Sequence, residues 1–216
     1  MQSTVKKWLY TKKAEYMEKV LINAGYLVHI VDNIDEARAK VLELVPEGSS
    51  ITLGGSATLE DMELLDIFRS PKYQLFDRYQ KLPFIPDRVE ILRQGMLADY
   101  LITGCNAITK KGELVNRDCT GNRVAGMIFG PRKVLMVVGA NKIVNDIDEA
   151  MKRITEVAAP MNAKRLGTHK TPCLETGICT DCDSEGRLCN YTTIIHNGKK
   201  FPNRITIILI SDDLGN

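Results

Sequence analysis

The stretch YLVHIVDNIDEARAKVLELVPEGSSITLGGSATLED, residues 26–61, decides the fold. Tyr26 to Val31 is a run of β formers, and Asp32 or Asn33 can cap the helix that follows, with Ala37, Val41, Leu42 and Val45 on its apolar face. The Pro46-Glu47-Gly48 turn breaks that helix, and Ser50 to Leu53 reads as a second strand. Residues 26–53 therefore form a βαβ unit, which implies parallel pairing, a right-handed crossover and a sheet covered by helices. The second strand runs into Gly54 to Asp61 and then a helix with Leu59, Met62, Leu65 and Phe68 at core spacing. Glycines between a strand and a helix sit where ligands bind in open α/β sheets, and the free N–H groups there favour a phosphate or carboxylate. The stretch carries neither the dinucleotide fingerprint nor a phosphate-binding Gly-Lys pair, so NAD or ATP has no basis. The competing reading is that Ser56 or Thr58 caps the helix and the glycines only make the turn.

Working outward, Ser3 to Ala24 has apolar residues at helical spacing and stops at Gly25. Tyr73 to Phe76 is a short strand, the region of Pro83 and Pro86 a loop, and Asp87 to Asp99 a helix leading into the strand Tyr100 to Gly104. Ala107 to Thr109 and Glu113 to Asn116, joined by Lys110-Lys111-Gly112, read as a hairpin, so the sheet should have an antiparallel part. A short helix over 122–129, a buried strand over 133–138, an amphipathic helix over 146–159 and two last strands near 192–196 and 204–211 complete the chain. The fold class expected is α/β, one domain over residues 1–216, with a mixed sheet flanked by helices and a cysteine-rich loop at 172–190.

Composition narrows the function. The 216 residues carry 29 Lys and Arg against 27 Asp and Glu, a net charge of +2, so no single-sign field favours nucleic acid. At 44% hydrophobic and 26% charged the chain can bury a core, and no apolar run approaches the ~20 residues of a membrane helix. The N-terminus lacks the apolar stretch of a secretory signal, and a cytoplasmic address follows by default.

Thr103 to Thr109 ends a strand at the same sheet edge as Gly54, so the two loops make a crevice. Asn106 could hydrogen-bond a ligand there, Glu113 or Asp118 could serve as a base, and Arg117 and Arg123 could hold a carboxylate; turn residues and solvated ion pairs are the competing readings. Cys105 and Cys119 sit in the same loops, where a thiolate could be a nucleophile, although inert burial is the commoner fate of a free cysteine. His29 reads as a core or edge residue of its strand.

The other four cysteines, Cys173, Cys179, Cys182 and Cys189, fall on one short segment. Four thiolates on a Gly-, Thr- and Asp-rich loop can close round Zn²⁺ or hold an iron–sulfur cluster, and the spacing does not choose between them. His169 and His196 flank the loop as outside candidates for ligands, and a loop of free, oxidisable thiols is the alternative to metal.

In order, GlyGlySerAlaThr at 54–58, LeuIleThrGlyCysAsnAlaIleThr at 101–109, the long run from Gly121 to Val144, AlaAlaProMetAsnAlaLysArgLeu at 158–166, the cysteine loop and AspAspLeuGly at 212–215 resemble the lactate-utilisation (LUD) domain family, LutC/YkgG-like, four-cysteine subgroup. The resemblance covers nearly the whole chain. It implies a NagB/RpiA/CoA-transferase-like fold and a role in oxidation or utilisation of lactate or a related small organic acid, beside iron–sulfur or flavin partner proteins. Such a protein would act as a metal- or cluster-carrying accessory subunit, with self-association into a homo-oligomer compatible with the family. The superfamily's ligand crevice falls on Gly54, Gly55, Ser56, Thr58, Gly104 and Asn106. The alternative is an independent superfamily enzyme acting on a phosphorylated or carboxylated small molecule.

Overall fold

The computed structural model describes residues 2–80, 85–168 and 170–215. The chain runs α1 (Gln2–Asn23), β1 (Leu27–Val31), α2 (Ile34–Leu44), β2 (Ser50–Leu53), α3 (Ala57–Asp61), α4 (Leu64–Phe68), β3 (Gln74–Phe76) and α5 (Ile85–Gln94). It continues through β4 (Tyr100–Thr103), β5 (Ala107–Thr109), β6 (Leu114–Asp118), α6 (Asn122–Ile128), β7 (Lys133–Gly139) and β8 (Ile143–Val144). The last elements are α7 (Ile147–Arg153), α8 (Ala159–Leu166), α9 (Pro172–Thr176), β9 (Tyr191–Ile195) and β10 (Ile205–Ile210). The expected loop at Pro83 and candidate ligand His169 fall on residues outside those described.

The mixed pairing expected of one sheet is divided between two. A six-stranded, wholly parallel sheet has the order β1-β10-β7-β4-β2-β3, and a four-stranded sheet has the order β8-β5-β6-β9, with the hairpin β5–β6 antiparallel. The parallel sheet is covered on both faces. Met17 and Leu21 of α1 pack with Val134, Met136, Ile207 and Leu209 on one side, and Ala37, Val41, Leu64 and Phe68 pack with Ile51, Leu135 and Ile208 on the other. Strands buried on both faces need continuous apolar sequence, which β7 and β10 supply, and these two are neighbouring interior strands.

That preference overturns the expected pairing of the first βαβ unit. β1 and β2 run parallel in one sheet but do not touch, because β10, β7 and β4 lie between them. The local capping was legible: Asn33 caps α2, its side chain accepting from the Glu36 N–H.

The helix expected to stop at Ala159 instead continues to Leu166. A π turn over Ile154–Ala158 joins α7 to α8, and Pro160 follows it at once. The wider turn gives the pyrrolidine ring room and absorbs its missing N–H, so the proline does not end the helix. Among the described residues no helix is long and apolar enough to cross a membrane.

Candidate functional site

Because all six strands of the larger sheet are parallel, their C-terminal ends share one edge. β2 delivers Gly54 and Gly55 there, β4 delivers Gly104 to Asn106, and β7 delivers Asn141 and Lys142. A pocket of about 530 Å³ opens at this edge, closed on its other sides by the loop of Arg78 and Tyr79, by α6, by the π turn and α8, and by Leu188 and Cys189 of the cysteine loop.

The glycines are there for close approach. A Cβ on Gly55 would lie 2.6 Å from an Arg78 guanidinium nitrogen, and one on Gly104 would lie 2.6 Å from the Ser56 hydroxyl. Both would crowd groups at the pocket wall. The short α3 has five residues, and its N-cap Ser56 makes no side-chain capping bond, so neither the expected cap nor a helix dipole accounts for this loop.

Charge defines the pocket. Arg78, Arg88, Arg117, Arg123, Lys142 and Arg165 line it, against Asp118 as the single carboxylate among the described lining residues. Arg123 is 7% exposed. Its guanidinium donates to the Gly104 carbonyl (3.2 Å), Asn116 Oδ1 (2.9 Å), Asn106 Oδ1 (3.0 Å) and the Arg117 carbonyl (2.8 Å), and its backbone N–H donates to Asp118 Oδ2 (3.1 Å). One side chain thereby ties α6 to the β4–β5 loop and to β6. Burial lowers its proton affinity, and the Asp118 charge opposes that. Arg165 pairs with Glu60 and donates to Asn162 Oδ1 (2.6 Å), yet its Nε is buried without a partner. The Arg165 guanidinium places a further positive charge at the pocket wall, where it favours an oxygen anion.

Of the crevice residues singled out from the sequence, Gly55, Ser56, Gly104, Cys105, Asn106, Arg117, Asp118, Cys119 and Arg123 line the pocket. Gly54 lies behind it, where a Cβ would strike Thr103 Oγ1 at 2.4 Å, and Thr58 is buried beside Lys142. The Asn106 carbonyl oxygen is already taken by Arg123 and by the Arg117 N–H at 2.9 Å, so that side chain braces the wall. Glu113 is elsewhere. It accepts from Thr109 Oγ1 at 2.9 Å and stands 3.0 Å from His196 Nδ1 at the far end of the hairpin. Cys105 is 2% exposed, shares bonds with the Ala107 carbonyl and Asn116 Nδ2, and has its thiol pushed up by burial; burial and Asp118 do the same to Cys119. Both favour the neutral thiol, a poor nucleophile. His29 sits half-buried on the edge strand β1.

Sequence reasoning missed Arg78, Arg88, Arg165 and Lys142. The Asn-Lys pair after the apolar run of β7 stood at a strand's C-terminal end, which was the available signal for Lys142. The arginines arrive from segments whose approach no local pattern reveals.

The four loop cysteines border one cavity without converging on a single point. Cys173, Cys179, Cys182 and Cys189 line one cavity of about 20 Å³ with Thr171, Asp181 and Arg187. Arg187 binds the carbonyls of Cys189 (3.3 Å) and Cys182, and pairs with Asp181 at 2.7 Å, holding the loop folded on itself. The soft donor set fits zinc or an iron–sulfur cluster. Among the described residues no three His, Cys, Asp or Glu side chains stand as a group able to hold a metal, so loading would have to draw the irregular segment after α9 inward. This cavity and the cationic pocket share Arg117, Ala159, Leu188 and Cys189 as a common wall.

Fold and site thus define an α/β protein with a cation-lined pocket at the carboxyl edge of a parallel sheet and a cysteine loop against it. The chain belongs to the LUD domain family, whose model matches residues 14–210. The crystal structure of a DUF162 family protein from Deinococcus radiodurans is similar over 93% of this chain and 98% of that chain, at 12% identity and a TM-score of 0.52, a likeness of fold. The crystal structure of eIF2B delta from Chaetomium thermophilum aligns over 63% of this chain and 54% of that one, at 14% identity and a TM-score of 0.35. Comparison with curated proteins found no match.

Proposed function

We propose that this protein supports the oxidation or utilisation of lactate or a related small organic acid, holding the acid's carboxylate in the cationic pocket beside a four-thiolate centre. LUD family membership supports the substrate class. The observation that carries the reading is the shared wall, which sets a pocket with six cations against one carboxylate directly beside four cysteines. Cys173, Cys179, Cys182 and Cys189 would hold zinc or an iron–sulfur cluster; a cluster would accept or pass electrons and zinc would cross-link the loop. Iron–sulfur or flavin proteins are the redox partners this role calls for, and the protein works as an accessory subunit in that arrangement.

The chain's own residues perform the binding. Arg165 offers its guanidinium charge to the carboxylate, Arg123 holds the Gly104 loop and the hairpin at fixed separation, and Leu188 stands between the two cavities. Calorimetric titration with lactate and pyruvate tests this. Saturable binding that weakens about tenfold or more in Arg165→Ala, the effect of losing a charge-assisted bond worth ~1.5–3 kcal/mol, is the expected result. Heat no different from that of lactamide, the uncharged analogue, would overturn it.

A further inference from the structure

Among the described residues, Lys142 is a buried side chain of this pocket that takes part in no ion pair. It follows β7 at the pocket floor, is 4% exposed, and its Nζ has a single hydrogen-bond neighbour, Thr58 Oγ1 at 3.4 Å. No carboxylate forms an ion pair with it among the described residues; Asp61 exerts a weak attraction, while Arg153 and Arg123 face it with like charge and Cys105 faces it as a buried thiol. The residues after β10 lie over it: Leu214 N–H donates to Asn141 Oδ1 at 3.3 Å, and a Cβ on Gly215 would lie 3.1 Å from the Lys142 Nζ. A structural lysine usually has a carboxylate partner or reaches solvent, and among the described residues this one has neither.

We propose that Lys142 is a nucleophilic amine that forms a reversible imine with the carbonyl of a small 2-oxo acid whose carboxylate the pocket's arginines hold. The proposal rests on the carboxylate-binding reading above and deepens it by naming the ligand class and the atom that engages it. An amine buried beside other cations is the arrangement that frees a lysine for attack on carbonyls. Burial first, then Arg153 and Arg123, lowers the Lys142 ammonium to about 8, so roughly a tenth of it is free amine near neutrality. The free amine attacks C2 of the oxo acid, a C–N bond forms, and the carbonyl π pair moves to oxygen, which takes a proton from the nitrogen by way of the Thr58 hydroxyl. The C–O bond of this adduct then breaks as its oxygen takes a second proton, from solvent, and leaves as water, and a protonated imine remains. No oxidant or reductant is consumed. The cationic surroundings that disfavour an ammonium also hold the oxo acid's carboxylate, so binding and attack draw on the same groups.

The test is reductive trapping. The full chain is incubated with pyruvate and sodium cyanoborohydride, which delivers hydride to an imine, and the adduct is mapped by peptide mass spectrometry. The expected result is one reduced pyruvate adduct on Lys142, absent from Lys142→Arg, which keeps the charge but cannot form the imine and still gives a cooperative melt. Adduct absent from wild-type Lys142, or spread over surface lysines and unchanged in Lys142→Arg, overturns the proposal. Lactate titration separates the two readings: lactate that binds without any pyruvate adduct removes the imine and leaves the carboxylate pocket standing, whereas failure of both removes both.

Discussion

Arg123→Ala is expected to be the most destabilising single substitution at the site, at about 3–5 kcal/mol, the range for removing one partner from a buried charged network. The side chain is nearly inaccessible and its guanidinium serves four oxygens. Truncation strands the Gly104 and Arg117 carbonyls, removes a bond from each of Asn106 and Asn116, and leaves Asp118, whose side chain is 14% exposed, without its nearest cation at 3.9 Å. Arg123→Lys should recover little, because one ammonium cannot reach acceptors on the β4–β5 loop and on β6 together. Chemical denaturation checks this. A loss below ~1 kcal/mol would mean that the network is replaceable by water and that Arg123 does not set the shape of the pocket.

Lys142→Met should act in the opposite direction. The Lys142 ammonium falls from 10.5 to about 8 on folding, for reasons of burial first and of neighbouring arginines next. Between those values the unfolded chain binds a proton that the folded chain has released, so wild-type stability rises with pH across that window; below about 8 the full cost of the buried charge is present. A difference of this size corresponds to about 3 kcal/mol. Methionine has similar length and no charge, so Lys142→Met should gain on the order of 2–3 kcal/mol at about pH 7, and the gain should shrink towards about pH 10. The wild-type-minus-variant difference isolates this lysine from the other groups that titrate there. Denaturation of both proteins along the pH series is the measurement. A variant that is less stable than wild type at neutral pH would make Lys142 a structural cation. A gain, by contrast, marks a residue whose position works against stability, as a site designed around a ligand does.

The parts of this fold that depend on near neighbours in sequence were legible. The Asn33 cap, the Gly25 stop after α1 and the hairpin turned by Lys110-Lys111-Gly112 follow from residues within a few positions of one another. The convergence of the Gly54 and Gly104 loops also followed, since parallel strands must end at a common edge. Strand order was not legible: β1 and β2 are consecutive, but the two most apolar strands come from residues 133–139 and 205–210 and insert between them. The end of the helix expected over 146–159 was not legible, because a π turn over Ile154–Ala158 lets it run on through Pro160 to Leu166. At the site, the glycines were found and their reason was not. Close contacts from Arg78, Ser56 and Thr103 explain them, and those contacts are set by tertiary structure. Glu113 and Asp118 read alike in sequence, yet only Asp118 reaches the pocket, because the hairpin carries Glu113 to its opposite end.

In the proposed arrangement an organic acid and a four-thiolate centre occupy the two sides of one wall made by Arg117, Ala159, Leu188 and Cys189. The most direct measurement is metal and sulfide content of protein purified without oxygen, followed by titration with lactate while the visible spectrum is recorded, with cobalt substituted if the native metal is zinc. The expected result is one centre per chain, lost in Cys182→Ser, with a spectrum that shifts saturably as lactate binds. Protein that holds no metal, metal content unchanged in Cys182→Ser, or a spectrum that stays fixed while lactate binds would contradict it.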